Sequence, residues 1–205
     1  MKLLVTVRWD KQQLERIRAE FPQVEFVTAV TPDDMVREIA DAEAVFGRID
    51  RPAFLAAKKL KWIQSQGAGV ETMADIPELI ESSVIVTNTR GAHAQTIAEH
   101  TFGMLIYLAR QFEQIAEARK AKTWLRTIEP AQVGLSGMTL GIIGLGNIGR
   151  AIAKRGAAFD MDVIAVDIKG VPKPDYVSQV RRLDGLSDLL KQSDVVAVSA
   201  PFTRQ

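Results

Sequence analysis

From the N-terminus to residue 91, short apolar runs alternate with segments of helical periodicity. Lys2 to Val7 reads as a strand, and Asp10 to Phe21 places Leu14, Ile17 and Phe21 at helical spacing. Pro22 ends that helix, because its ring clashes with the preceding turn and removes a donor. Val24 to Ala29 reads as a second strand. Thr31-Pro32-Asp33-Asp34 has the form of a helix start: a capping hydroxyl, proline at the first position and acids near the positive helix end. Further strands are expected at Ala44 to Phe46, Leu60 to Gln64 and Val84 to Thr87, with a short helix from Arg51. Such alternation predicts a parallel sheet covered on both faces, a flavodoxin-like layer with right-handed crossovers.

Ala92 to Lys122 then reads as one long helix, with Gly103 its sole interior break signal and with Ile97, Thr101, Met104, Leu105, Leu108 and Phe112 on one face. Its length suggests a connector and a subunit contact. Thr123 to Gly137 is looser, and Trp124 reads as a packing or interface anchor. The pattern then resumes as strand 139–143, helix 148–159 and strand 162–167. After Pro172 and Pro174 come a brief strand near Tyr176, a helix from Leu186 to Gln192 and a strand from Val195 to Ser199. The last of these belongs beside the 139–143 strand in mid-sheet. An uncovered apolar edge there predicts aggregation of the isolated chain unless a partner covers it.

Composition narrows the chemistry. With 26 Lys+Arg against 25 Asp+Glu, the charge balance offers no electrostatic case for nucleic acid or an anionic membrane. Absence of cysteine removes disulfides, thiolate catalysis and cysteine metal sites, and His93 and His100 alone make no histidine cage. No metal site is expected. No apolar run reaches the roughly 20 residues needed to span a bilayer, and no signal peptide core is visible, so a cytoplasmic location is expected.

The most informative motif is Gly144-Leu145-Gly146-Asn147-Ile148-Gly149, set between strand 139–143 and the helix that follows. Asp167 closes the next strand, 23 residues after Gly144. In a dinucleotide site Gly144 permits the tight turn, Gly146 lets backbone approach a pyrophosphate, and Gly149 lets helix pack on strand. Asn147 and Ile148 offer N–H groups to the phosphates at the positive helix end. Asp167 accepts from both adenosine ribose hydroxyls and repels a 2′-phosphate, which favours NAD over NADP; Lys169 weighs against that preference. A methyltransferase-like nucleotide site and a structural turn are the alternatives. A second glycine turn, Gln66-Gly67-Ala68-Gly69-Val70-Glu71, follows a strand and exposes N–H groups suited to a carboxylate, or serves only as a turn.

Together these segments resemble the D-isomer-specific 2-hydroxyacid dehydrogenases. The resemblance is carried by Leu60 to Gln64 running into Gly67-Ala68-Gly69-Val70-Glu71; by Val86 to Gly91; by Ile97-Ala98-Glu99-His100; by Gly141 to Gly149 with Asp167; and by Ser193 to Val196 with Ala200-Pro201. It implies a substrate domain at 1–91, then a connector helix and partial NAD-binding Rossmann domain at 92–205. It implies that Gly67, Ala68 and Gly69 hold the substrate carboxylate, with Ala68 also near the nicotinamide. Asn147 and Ile148 would meet the pyrophosphate, Asp167 the ribose, and Ala200 and Pro201 the cofactor. The implied reaction is hydride transfer between NAD(H) and a small 2-hydroxy or 2-keto acid.

The family draws its catalytic arginine, acid and histidine from beyond the strand ending at Ser199, so no catalytic residue is assigned within these 205 residues. His100 reads as a packed or capping residue and His93 lies near the cofactor cleft by family position; Arg48 and Arg90 follow strand ends and read as solvent-exposed, with approach to an anion the alternative. The chain alone is therefore expected to be inactive. A non-catalytic NAD-binding regulatory module, or one half of a split enzyme, is the alternative. Family members pair through the NAD domain, so a homodimer is expected of an intact version.

Overall fold

The structure is a computed structural model that describes residues 1–200. Its backbone divides into two units, Met1–Ala92 and the part from His93 onward.

In the first unit five short strands, β1 (Lys2–Val5), β2 (Glu25–Thr28), β3 (Ala44–Phe46), β4 (Trp62–Gln64) and β5 (Ile85–Thr87), form an all-parallel sheet of order β2-β1-β3-β4-β5. This is the flavodoxin-like order. Leu4, Val45 and Ile63, from three adjacent strands, are fully buried with Ile39, and Leu79 joins the same core. The helices begin where the sequence supplies caps. Asp10 accepts the N–H groups of Gln12 and Gln13 ahead of α1 (Lys11–Glu20). Thr31 caps α2 (Pro32–Glu38) and Asp50 caps α3 (Arg51–Ala56), each with proline in the first turn. Two four-residue helices, α4 (Glu71–Ala74) and α5 (Pro77–Ile80), complete the unit.

The surface of this unit carries ion pairs with a consequence for acid stability. Hydrogen bonds from Lys2 to Asp41, from Lys61 to Glu43 and from Arg51 to Glu78 hold those carboxyls below their ordinary values, and the Thr31 hydroxyl followed by Arg37 does so for Asp34. A carboxylate with a depressed folded pKa stabilises above its unfolded pKa, and that contribution fades as pH falls through the folded one. Thermal melts should therefore lose stability progressively below about pH 4. Because the groups are solvent-exposed, added salt should shrink the effect; a melting temperature independent of pH between about 5 and 3 would contradict this.

In the second unit the helical stretch is not continuous. α6 (Ala94–Ala109) and α7 (Phe112–Lys120) are separated at Gln111, whose φ of 54° is left-handed. No glycine marks the break. Instead the 129–133 segment captures the end of α6: the Val133 N–H donates to Ala109 O at 2.8 Å and Gln132 Nε2 to Arg110 O at 2.7 Å. Gln114 Nε2 donates to Glu129 O at 2.6 Å, anchoring the same segment on α7. Residue pattern cannot show this, because the competing partners lie about twenty residues away.

Strands β6 (Thr139–Ile143), β7 (Asp162–Val166), β8 (Gln179–Arg181) and β9 (Val195–Val198) form a parallel sheet of order β8-β7-β6-β9. α8 (Asn147–Ala158) links β6 to β7, and α9 (Leu186–Gln192) precedes β9. The third strand begins later than the Tyr176 expectation. The Val177 N–H donates to Pro174 O and Lys173 Nζ to Val177 O, so a turn occupies residues 173–177 and pairing with β7 starts at Ser178. α6 packs on α8 through Ala94, Ala98 and Phe102, whose ring stacks on Phe159 at 5.1 Å. Gly156 lets α8 lie close on the sheet, since a Cβ there would fall 2.6 Å from Leu140 Cδ2. No helix among the described residues is long and apolar enough to cross a membrane.

Candidate functional site

Both glycine turns lie at carboxyl ends of parallel strands, where open α/β sheets bind ligands. The first follows β6. Gly144 has φ +92°, and a Cβ there would lie 2.9 Å from Ala200 N and 3.0 Å from Ser199 O. Its N–H donates to Val166 O at 2.8 Å, and Ser199 Oγ donates to its carbonyl at 2.6 Å. The turn is thus stitched to β7 on one side and to the end of β9 on the other. Gly149 seats the first turn of α8 on it; a Cβ would fall 2.1 Å from Gly144 O.

Gly146 occupies the N-cap of α8 and supplies no side-chain cap. Nothing lies within 4 Å of the place its Cβ would take. The N–H groups of Asn147 and Ile148 have no acceptor among the described residues. Helix N-termini leave such donors, and the dipole adds a positive field. Asp167 follows β7 immediately. Its Oδ2 accepts the Leu145 N–H at 2.7 Å and its Oδ1 the Lys169 N–H at 2.8 Å. Each oxygen keeps acceptor capacity for a further donor. Free donors for phosphate, a vacant space at Gly146 and a carboxylate at the next strand end fit a dinucleotide. Ala200 lies against the turn, as its contact with the Gly144 position shows; Pro201 lies outside the described residues.

The second turn follows β4. Here every carbonyl is turned inward. Gln66 O accepts from Thr89 Oγ1 at 2.7 Å, Gly67 O from the Thr89 N–H at 3.2 Å, Ala68 O from Asn88 Nδ2 at 2.7 Å and Gly69 O from Ser65 Oγ at 3.4 Å. The Gly67 N–H donates to Ser65 Oγ at 3.2 Å. The Ala68 and Gly69 N–H groups have no acceptor among the described residues. A loop with its carbonyls satisfied and two N–H groups free has donors to offer an anion. Arg48 Nη2 lies 3.7 Å from the Cβ position of Gly67. The Arg48 backbone is clamped by Thr6, whose hydroxyl accepts its N–H at 2.9 Å and donates to its carbonyl at 2.7 Å.

Ser65, Asn88 and Thr89 set this loop, and the glycine motif alone does not single them out. Their signal was position: three polar residues at or just beyond the ends of apolar strands, Ser65 only 1% exposed. His93 and His100 donate no side-chain hydrogen bond to a carboxylate among the described residues.

The model of the D-isomer specific 2-hydroxyacid dehydrogenase NAD binding domain matches residues 102–205. The chain belongs to this family. Its second unit carries the family's NAD-binding domain, and NAD is the cofactor. Across 208 residues the chain is 32% identical to a D-3-phosphoglycerate dehydrogenase of Methanocaldococcus jannaschii, covering 99% of this chain and 39% of that protein. A hydroxypyruvate reductase of Thermotoga maritima is 32% identical, with 95% of this chain and 60% of the relative covered. A family member from Aeromonas salmonicida superposes with a TM-score of 0.84 at 31% identity, covering 99% of this chain and 64% of that one. A D-lactate dehydrogenase of Aquifex aeolicus complexed with NAD and lactic acid shares the fold at TM-score 0.81 and 24% identity. The chain thus spans between about two fifths and two thirds of the length of these family members.

Proposed function

We propose that these 205 residues bind NAD(H) and the carboxylate of a small 2-hydroxy or 2-keto acid, as part of a dehydrogenase that moves hydride between them. The observation that carries the reading is the Asp167 carboxylate at the end of β7, hydrogen-bonded to the glycine turn it faces. In this reading residues 1–91 are the substrate domain, and 92–205 are the connector and NAD-binding portion. Asn147 and Ile148 donate to the pyrophosphate. Gly144, Gly146 and Gly149 give the turn its shape, Asp167 accepts from the adenosine ribose, and Ala200 and Pro201 adjoin the cofactor. Gly67, Ala68 and Gly69 hold the substrate carboxylate through backbone donors, and Ala68 also serves the nicotinamide end. Bound NAD supplies the hydride acceptor; these residues supply orientation and charge.

The reaction also needs a group tuned to move the hydroxyl proton and a cation on the carbonyl. Among the described residues neither histidine makes a hydrogen bond or ion pair with a carboxylate. We therefore expect purified chain to bind NADH without oxidising it when offered glyoxylate, hydroxypyruvate or pyruvate. Nicotinamide fluorescence and absorbance at fixed protein concentration check both halves. Steady turnover would overturn the inactivity, and no NADH binding would overturn the function itself. A non-catalytic NAD-binding module or one half of a split enzyme makes the same binding prediction; recovery of turnover on adding a separately encoded remainder of the protein identifies the split enzyme.

A homodimer is part of the proposal. Met104, Leu108 and Phe112 are exposed along α6 and α7, and Trp124 is 88% exposed beside a groove lined by Ile115, Ala118, Leu125 and Ile128. Pairing of relatives through the NAD domain argues for a second copy there. Trp124→Ala should shift the chain from dimer to monomer in sedimentation at micromolar concentration, a wild-type monomer being the contrary result.

A further inference from the structure

We propose that Arg48 seats a second anionic group of the substrate, so that the acid held at the Gly67 turn is one carrying a phosphomonoester or a further carboxylate. The proposal rests on the carboxylate reading of that turn. Two features set Arg48 apart from an ordinary surface arginine. The first is a backbone pinned on both sides. The hydroxyl of Thr6, itself only 8% exposed, accepts the Arg48 N–H and donates to its carbonyl. Gly47 before it has φ +124°, and a Cβ there would collide with the same hydroxyl. Ile49 after it is buried, and Asp50 caps α3 through the Ala53 N–H. The second is an exposed side chain whose guanidinium has no hydrogen-bond or ion-pair partner among the described residues. A rigid stem thus holds an uncommitted cation at the carboxyl end of β3, where open α/β sheets take ligands.

Its place beside the turn decides what it can meet. Arg48 Nη2 lies 3.7 Å from the Cβ position of Gly67, whose own N–H is spent on Ser65 Oγ. The free N–H groups belong to the next two residues, Ala68 and Gly69. A carboxylate taking both amides is already doubly bonded, and the family draws its catalytic arginine from beyond Ser199, so Arg48 is an additional cation. Neighbouring Cα atoms lie about 3.8 Å apart, which sets the scale between the amides and the guanidinium. A second anionic group on the third or fourth carbon of a 2-hydroxy acid spans that interval. Phosphomonoester and carboxylate both present the paired oxygens that a guanidinium fork matches. In the sheet order β3-β4-β5, Arg90 follows the strand on the turn's other side, and its side chain has no partner among the described residues. The field of two unpaired positive charges favours a multiply charged acid over a monoanion.

The test is a titration of the isotope-labelled full chain with D-lactate, D-malate and D-3-phosphoglycerate. These share a 2-hydroxy carboxylate and carry, in turn, no second anion, a carboxylate and a phosphate. Nuclear magnetic resonance follows the Ala68 and Gly69 amides for the shared group and the Arg48 Nε–H for the second. All three acids are expected to move the two amides. Malate, phosphoglycerate or both should bind at least tenfold more tightly than lactate and should alone move the Arg48 signal; the tighter of the two tells carboxylate from phosphate. Arg48→Ala should erase that preference, and Arg48→Lys, which keeps the charge without the fork, should keep part of it. The amide spectrum reports whether each variant is folded. Equal binding of the three acids, or a wild-type preference retained by folded Arg48→Ala, overturns the second seat and leaves the carboxylate reading standing. An Arg48→Ala variant that weakens lactate as much as the other two acids overturns it also, because Arg48 then serves the shared carboxylate. Silence of the Ala68 and Gly69 amides toward all three overturns the carboxylate reading and the second seat with it.

Discussion

Gly149→Ala is expected to abolish NADH binding and to lower the unfolding free energy by about 3 kcal/mol, the upper end for overpacking a tight site. The added carbon would sit 2.1 Å from Gly144 O and 2.9 Å from Ser199 Oγ. The serine hydroxyl can rotate away; the carbonyl cannot. It belongs to a residue at φ +92° whose N–H is committed to Val166 O and whose own Cβ position is filled by the backbone of Ser199 and Ala200. Relief must come from α8 lifting off the turn. That motion carries the Asn147 and Ile148 N–H groups away from the phosphate position and opens the contact with α6. Urea unfolding of the variant beside the wild type measures the loss. A variant with wild-type stability and NADH affinity would show that this contact is looser than the geometry states.

The second large effect is expected at Asp167. Asp167→Ala removes the acceptor of two backbone N–H groups, one of them on the buried Leu145, together with the proposed partner of the ribose. Hydrogen bonds to a charged acceptor contribute about 1.5–3 kcal/mol each, and an orphaned buried donor costs more than an exposed one. Losing the sugar contact and loosening the turn should together weaken NADH by about 3 kcal/mol, on the order of 100-fold. Fluorescence titration reads this directly. An affinity within threefold of wild type would remove Asp167 from the ribose-binding role.

Much of this was legible in the sequence because the signals are local. Alternation of strand and helix patterns, capping residues at Asp10, Thr31 and Asp50, and the glycine spacing at Gly144, Gly146 and Gly149 each act within a few residues. Family membership followed from the same motifs taken in order, and the NAD assignment with it. What pattern could not show depends on partners distant in the chain. The break at Gln111 is made by residues 129–133, and the turn at residues 173–177 delays β8. Three of the four inward-facing carbonyls of the 66–69 loop are held by Asn88 and Thr89, some twenty positions away. Sequence spacing identified the two glycine turns; it could not identify the side chains that fix which way their peptide groups face.

The double duty of Asp167 constrains how such a protein can diverge. The carboxylate proposed to recognise the sugar also staples the Gly144 turn. A lineage changing its coenzyme cannot discard that acidic group freely, because the turn would lose its brace along with its selectivity. Drift toward the phosphorylated coenzyme should begin with strengthened cations nearby, and exchange of the acid should come only after another acceptor has taken over the Leu145 amide.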